Sequence, residues 1–454
     1  MNGRKTALVC GMAKSGVASA RLLWEQGYQV TINDMKKEIP GLKEQLAGIE
    51  YTDALGQDPM ELVAGQDLVV LSPVIPIFAP FAKKAKALGA EVIGEIELGY
   101  RYCDPKARFV CVSGTNGKTT TTALTGALFQ GAGKRAFVLG NIGVPITQEA
   151  KNTRPGDYVV AEVAALQLES IKRFRPNAMG MLNISEDHLN RFENRMENYV
   201  AAKCRAFENQ RPEDFAVLNY DDPVVRDMAR LTKARVVYFS QAQALGEGMC
   251  LQDGRMTFRL DGREIPLIQP GELQIPGAHN LENAMCAATL ALCMGLEPAA
   301  VCRGLKAFPG VEHRIEFVRE VGGVRYINDS KGTNPDSTIK AVLAMDRPTV
   351  LLLGVGNYDK HSDFRPLFEA FGGRVKAVLA SGCNIPAIQK AAAETGFTPF
   401  YTYDGPDFEG MIRRAGELAA PGDTVLLSPA AASWGQFDNY EQRGEMFKAI
   451  VNRL

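Results

Sequence analysis

Short apolar runs punctuate the chain at 6–10, 29–33, 68–71, 109–112, 158–161, 179–183, 215–219, 325–329, 350–353, 375–379 and 424–427. Most are apolar throughout rather than alternating. That pattern predicts strands covered on both faces, as in parallel sheets. The segments between them repeat their apolar residues at helical spacing, as over 17–26 and 119–130. Several runs end in polar residues: Asp34, Ser72, Glu162, then Glu186-Asp187-His188. Ligands of open α/β sheets bind outside such carboxyl ends. The expected fold is α/β in three domains. Residues 1–105 form a Rossmann-like unit, 106–312 a central unit and 313–454 a second Rossmann-like unit, with Pro309-Gly310 as a hinge. A length of 454 residues suits about three domains.

The run at 109–112 opens into Ser113-Gly114-Thr115-Asn116-Gly117-Lys118-Thr119-Thr120 and then a helix. This is the layout of a phosphate-binding loop and marks the central unit as of the P-loop ATPase type. Glycines let backbone N–H groups approach an anion, Lys118 offers a point charge, and the Thr119 hydroxyl can ligate Mg²⁺. Val112 stands where the common form has its first glycine, so the loop is a short variant. A second turn, Gly11-Met12-Ala13-Lys14-Ser15-Gly16, lies between the first strand and its helix, and Asp34 follows about 20 residues on. It is nearly a dinucleotide fingerprint, but Ala13 replaces the glycine that admits a pyrophosphate. A turn holding some nucleotide phosphate fits better than NAD.

Other polar residues read two ways. Glu162 projects from a strand end toward the phosphate loop, or is a surface carboxylate. His188 is a Mg²⁺ ligand beside Glu162, or caps a turn. Lys203, on a helix, reads alone as a solvated lysine. Asn280 and Asn283 share one face at a helix start, suited to a purine or ribose, or serve as caps. Asp329 and Lys331 alternate with Ser330 and so point to one side. They form a nucleotide clamp, or a surface ion pair.

Composition narrows the function classes. Lys+Arg 51 against Asp+Glu 52 leaves net charge −1, with no basic face for nucleic acid. The longest apolar stretch, 284–296, falls short of the ~20 residues of a membrane span. Nine scattered cysteines without a Cys-x-x-Cys pair suggest free thiols in a reducing cytosol. A soluble, cytoplasmic, monomeric enzyme acting on small molecules is expected, with no nucleic-acid or membrane partner.

Together these segments resemble the Mur ligase family, ATP-dependent amide-forming enzymes of peptidoglycan precursor synthesis. The resemblance rests on the shortened loop Gly114 to Thr119, Glu186-Asp187-His188, His279-Asn280-Leu281-Glu282-Asn283 and Glu312-His313-Arg314. It covers essentially the whole chain. Asn328 to Asn334 and Leu427 to Gly444 look most like the member that adds D-glutamate to UDP-N-acetylmuramoyl-L-alanine. The resemblance implies that Ser15, Gly16, Asp34 and Ser72 bind the UDP moiety in the first domain, and that Asn141 lies near the sugar-peptide. Thr119, Glu162, His188 and a carbamylated Lys203 would hold Mg²⁺. Gly114 to Thr120 with Asn280, Asn283, Arg314 and Asp329 would hold ATP. Lys331, Thr333, Lys360, Ser433 and Tyr440 would receive D-glutamate. Lys118, His188, Lys203, Lys331 and Lys360 would carry the chemistry. Val74 and Gly435 depart from the family pattern, where glycine and aspartate are more common. The alternatives are another ligase of the superfamily, such as folylpolyglutamate synthase, an NAD-dependent oxidoreductase using the Gly11 turn, and a nucleotide-gated binding module.

Overall fold

The computed structural model describes residues 4–141, 143–186, 189–357, 362–404 and 407–454. The apolar runs form strands. Thr6–Cys10, Gln29–Asn33, Leu68–Leu71, Phe215–Asn219 and Thr424–Leu427 have the bounds their pattern predicts. Others gain a residue or two, as in Arg108–Ser113 and Thr349–Gly354. The chain divides into two compact units, residues 1–272 with 282–306, and residues 273–281 with 307–454.

The first unit holds two sheets. One has five parallel strands in the order Thr52–Asp53, Gln29–Asn33, Thr6–Cys10, Leu68–Leu71, Glu91–Gly94. The chain winds one way from Thr6–Cys10 and then the other. The crevice this leaves lies at that strand's carboxyl end, over the Gly11 turn.

The other sheet has nine strands. Its order begins Arg263–Pro266, Arg255–Leu260, Gly248–Gln252, Arg235–Ser240, Phe215–Asn219. It continues Ala178–Met181, Arg108–Ser113, Tyr158–Glu162, Ala136–Gly140. Arg108–Ser113 is central, flanked in parallel by Ala178–Met181 and Tyr158–Glu162. Asn183 and Glu162 therefore come to either side of the loop it feeds. The sequence reading places no strand between 219 and 325, yet Arg235–Ser240, Gly248–Gln252, Arg255–Leu260 and Arg263–Pro266 lie there. The last three pair antiparallel through Asp253-Gly254 and Asp261-Gly262. Both residues of each turn have positive φ, the hairpin geometry that Asp-Gly favours.

The two sheets share one core cluster, running from Ala7 and Ile32 to Phe109, Met179 and Phe207. Each large apolar side chain buried there contributes about 1.5–3 kcal/mol. Polar ties add to it. Buried Glu95 accepts hydrogen bonds from the Thr147 N–H at 2.8 Å and the Thr147 hydroxyl at 2.9 Å. Burial raises its pKa.

The second unit has one six-stranded sheet, ordered Glu316–Val321, Val324–Asn328, Thr424–Leu427, Thr349–Gly354, Val375–Ser381, Phe400–Thr402. Among the described residues only the Glu316–Val321 edge is antiparallel. Thr424–Leu427 sits between Val324–Asn328 and Thr349–Gly354, so three strand ends converge: Asp329, Val355 and Ser428. Among the described residues no helix is long and apolar enough to cross a membrane. All nine cysteines are free.

Candidate functional site

The phosphate loop is held from behind by the end of Ala178–Met181. Thr115 N–H donates to the Asn183 carbonyl at 2.8 Å, and Asn116 N–H to Asn183 Oδ1 at 2.9 Å. The Thr115 hydroxyl donates to the Ser185 carbonyl and accepts from the Ser185 N–H, at 3.1 and 3.0 Å. The helix Lys118–Gly131 begins at Gly117, whose φ is +85°. A Cβ on Gly117 would lie 2.2 Å from Asn283 Oδ1, so both conformation and space require glycine. The first amides of this helix have no intrahelical acceptors and open toward an anion. The Lys118 ammonium curls over the loop, donating to the carbonyls of Gly114 at 3.0 Å and Thr115 at 2.7 Å.

Carboxylate, hydroxyl and amide meet beside it. The Thr119 hydroxyl donates to Glu162 Oε2 at 2.9 Å, and Asn141 Nδ2 donates to Glu162 Oε1 at 2.9 Å. Glu162 is only 3% exposed, which rules out the surface reading. The Thr120 and Ser113 hydroxyls are buried and have no hydrogen-bond partner among the described residues. Native interiors seldom leave such groups unsatisfied unless a ligand or water completes them. Hard oxygen donors of this kind suit Mg²⁺ beside a triphosphate. His188 lies outside the described residues.

Lys203 corrects the solvated reading. It sits on the helix Met196–Cys204, is 1% exposed, and donates to the Gly114 carbonyl at 2.8 Å. Its ammonium also lies 4.9 Å from the centre of the Tyr199 ring, and the Tyr199 hydroxyl is 3.1 Å from that of Thr115. The helix carries a lysine inward because its end packs under the loop. No periodicity rule reveals that.

In the five-stranded sheet, Asp34 closes the Gly11 turn on itself by accepting from the Met12 N–H at 2.8 Å. Gly11 has φ +89° and abuts Ser72, where an added Cβ would come within 2.6 Å of Ser72 Cβ. Ser15 and Gly16 lie in the first turn of the helix Lys14–Glu25. Gly11, Ser15, Gly16, Asp34 and Ser72 thus share one strand-end crevice.

The helix Ala278–Cys293 carries the asparagines. Asn280 donates to the Pro276 carbonyl at 2.7 Å, and Asn283 accepts from the Thr121 hydroxyl at 3.2 Å. Both side chains are buried.

In the second unit the alternation argument for Asp329 and Lys331 fails, because the strand ends at Asn328 and the chain turns there. Asp329 is 4% exposed. It accepts from the Ser428 hydroxyl at 2.6 Å and the Ile315 N–H at 3.2 Å, so it is no surface ion pair. Burial pushes its carboxyl up to about 7, against the pull of Ser428 and Arg314. Arg314 Nε is buried without a hydrogen-bond partner among the described residues. The turn that presents Arg314 is strained: His313 and Ile315 have φ of 62° and 47°, and left-handed backbone is rare for a β-branched residue. The Lys331 ammonium lies 5.3 Å from the centre of the Tyr440 ring. Thr333 follows in the same turn, its N–H on the Lys331 carbonyl at 2.9 Å. Ser433 is buried beyond the Thr424–Leu427 strand. Lys360 lies outside the described residues.

Sequence reasoning missed Arg443. It lies on the helix Tyr440–Val451 and is 0% exposed. It donates to Ser330 Oγ at 3.0 Å and to the carbonyls of Ser330, Val355 and Ala431 at 2.8, 2.6 and 3.3 Å. Burial lowers its pKa to about 9, opposed by the nearby Asp329. It binds the three converging strand ends into one platform. Asn183 and Asn219, which with Glu282 brace the phosphate loop, were missed as well, because single asparagines at strand ends carry no spacing signal.

Comparison with known proteins agrees along the chain. Residues 5–94 match a Mur ligase MurD-like N-terminal domain, 112–291 a Mur ligase middle domain, and 313–431 a Mur ligase glutamate ligase domain. A UDP-N-acetylmuramoylalanine–D-glutamate ligase from Alkaliphilus metalliredigens is 43% identical, over 99% of this chain and 98% of that protein. One of the same name from Clostridioides difficile is 40% identical over 100% and 99%. Among solved structures, a UDP-N-acetylmuramate–alanine ligase from Thermotoga maritima shares the fold. Its TM-score is 0.62 at 19% identity, over 99% of this chain and 100% of that one. Identity above 40% from end to end, across all three sheets, is a match of the whole chain rather than of one domain: the protein belongs to the Mur ligase family.

Proposed function

We propose that the protein is an ATP-dependent ligase that joins D-glutamate to the L-alanyl carboxylate of UDP-N-acetylmuramoyl-L-alanine, releasing ADP and phosphate. The observation that carries the reaction type is the cradle of Lys118, Thr119 and buried Glu162 around a phosphate loop. The choice of D-glutamate is supported by the end-to-end relatives of that name.

A carboxylate does not acylate an amine at neutral pH, because its oxygen is a poor leaving group. Transfer of the γ-phosphoryl group of ATP to the L-alanyl carboxylate makes an acyl phosphate. The D-glutamate amine then attacks the carbonyl, and the tetrahedral adduct expels phosphate. In this reading Lys118 and the amides after Gly117 stabilise charge on the transferring phosphoryl group. Thr119, Glu162, His188 and a carbamylated Lys203 would hold Mg²⁺, which supplies positive charge to the phosphate oxygens. Carbamylation would turn a buried cation into a two-oxygen anion. Asn280, Asn283, Arg314 and Asp329 take ATP. Lys331, Thr333, Lys360, Ser433 and Tyr440 take D-glutamate.

The crevice of Ser15, Gly16, Asp34 and Ser72 takes the UDP moiety, with Asn141 toward the sugar-peptide. The Asp34 carboxylate already holds the Met12 amide, so that turn is set before ligand arrives. The division of labour follows domains at 1–105, 106–312 and 313–454. The test is chromatography with mass spectrometry of a reaction holding all three substrates. A UDP-linked product heavier by one glutamyl residue is expected, and intact substrate alone would sink the reading.

A further inference from the structure

Asn183 meets the phosphate loop through three atoms. Its carbonyl and Oδ1 receive the Thr115 and Asn116 N–H groups, and its Nδ2 reaches the Asn116 carbonyl at 3.3 Å. This arrangement exists only one way round. A carboxamide rotated by half a turn would set its NH₂ against the Asn116 N–H and its oxygen against the Asn116 carbonyl.

The residue that selects the orientation is Glu282. Its Oε1 accepts from Asn183 Nδ2 at 3.4 Å and from Asn219 Nδ2 at 2.9 Å. Asn219 also donates to the Leu182 carbonyl at 2.8 Å, so it holds Glu282 against the end of the strand that carries Asn183. The same end is pinned by Asp222, whose Oδ2 accepts from the Ile184 N–H at 2.8 Å. Of the two donors to the Glu282 oxygen, Asn219 has a second acceptor in the Leu182 carbonyl, and Asn183 is the one that contacts the loop. The residue next to Glu282 in the chain, Asn283, lies against Gly117, so this helix touches the loop system at two points.

We propose that Glu282 is a positioning residue for nucleotide binding: its Oε1 fixes the orientation of the Asn183 carboxamide and thereby the path of Thr115 and Asn116. Both donors use the same oxygen, so the requirement is an acceptor at that point rather than a charge. Burial, with Asp221 and Asp222 near, pushes the carboxyl up to about 7, which agrees with an acceptor that need not be ionised. The inference rests on the reading of this loop as the triphosphate site.

The test is calorimetric titration of the full-length protein with Mg-ADP, beside steady-state kinetics. Glu282→Ala should weaken Mg-ADP at least tenfold and raise KM for ATP alike. KM for the UDP substrate and for the amino acid should stay within about twofold. Glu282→Gln keeps an oxygen in place and should stay within about threefold of wild type. Asn183→Asp loses the Nδ2 donor, sets a carboxylate against Glu282, and should match Glu282→Ala. If Glu282→Ala does not fold, Glu282→Gln and Asn183→Asp carry the comparison. Wild-type affinity in Glu282→Ala or Asn183→Asp overturns the inference, as does a Gln variant as weak as the Ala variant. Failure of the wild type itself to bind Mg-ADP overturns the triphosphate reading instead.

Discussion

The Lys203 ammonium lies 2.8 Å from the Gly114 carbonyl, so a lysine of the helix Met196–Cys204 touches the backbone of the phosphate loop. A buried cation is costly unless hydrogen bonds or opposite charges compensate it. In the proposed reading it is the amine that carries a carbamate. Lys203→Ala should lower kcat by about 100-fold or more, the scale of losing one group that stabilises developing charge. Wild-type activity should fall in carbon-dioxide-depleted buffer and return with bicarbonate, while Lys203→Ala ignores both. Steady-state rates in the two buffers check this. A wild type indifferent to bicarbonate would count against carbamylation and leave the positional role standing.

Gly117→Ala tests the loop's geometry. The new Cβ would sit 2.2 Å from Asn283 Oδ1, on backbone with φ +85°. Left-handed backbone alone costs a non-glycine residue about 1 kcal/mol or more. The variant should melt a few degrees lower and bind Mg-ADP about tenfold more weakly, as read by thermal melts with and without nucleotide. Unchanged affinity would mean that the loop does not hold the phosphates.

Asp329 predicts a pH dependence of stability. Its folded value of about 7 lies above its ordinary 3.8. Between these pH values the folded chain holds a proton that the unfolded chain has lost, so stability falls as pH rises through that window. Asp329→Asn removes the effect. Relative to the variant, the wild type should lose on the order of 2 kcal/mol between pH 5 and pH 8. His279 acts in the opposite sense. Burial lowers it from 6.5 to about 4, so its contribution is lost as pH falls through that range. The difference between wild type and Asp329→Asn in urea unfolding isolates the aspartate. A difference that does not vary with pH contradicts the buried carboxyl.

Much of the scaffold was legible because parallel strands buried on both faces write themselves as apolar runs, and Gly114 to Thr120 writes a loop in glycine and lysine. The hairpins from Gly248 to Pro266 escaped because the apolar run Met249-Cys250-Leu251 is only three residues long and Met256 and Phe258 alternate with polar residues too briefly to stand out, although Asp253-Gly254 and Asp261-Gly262 were turn signals in plain view. Arg443 escaped, and Lys203 was singled out only through the family resemblance, for a different reason. Each is a cation at an ordinary helical position, and only the packing of strand ends against the helix puts it inside. Asp329 shows the limit of alternation: the strand ends one residue before its run does, and the carboxylate meets the Ser428 hydroxyl instead of lying alongside Lys331.

The central claim is tested most directly by phosphate release from Mg-ATP with UDP-N-acetylmuramoyl-L-alanine present, comparing D-glutamate, L-glutamate and no amino acid. The account predicts release that requires both the UDP substrate and D-glutamate, with L-glutamate near the background. Release that ignores the UDP substrate, or no release with any combination, would contradict it.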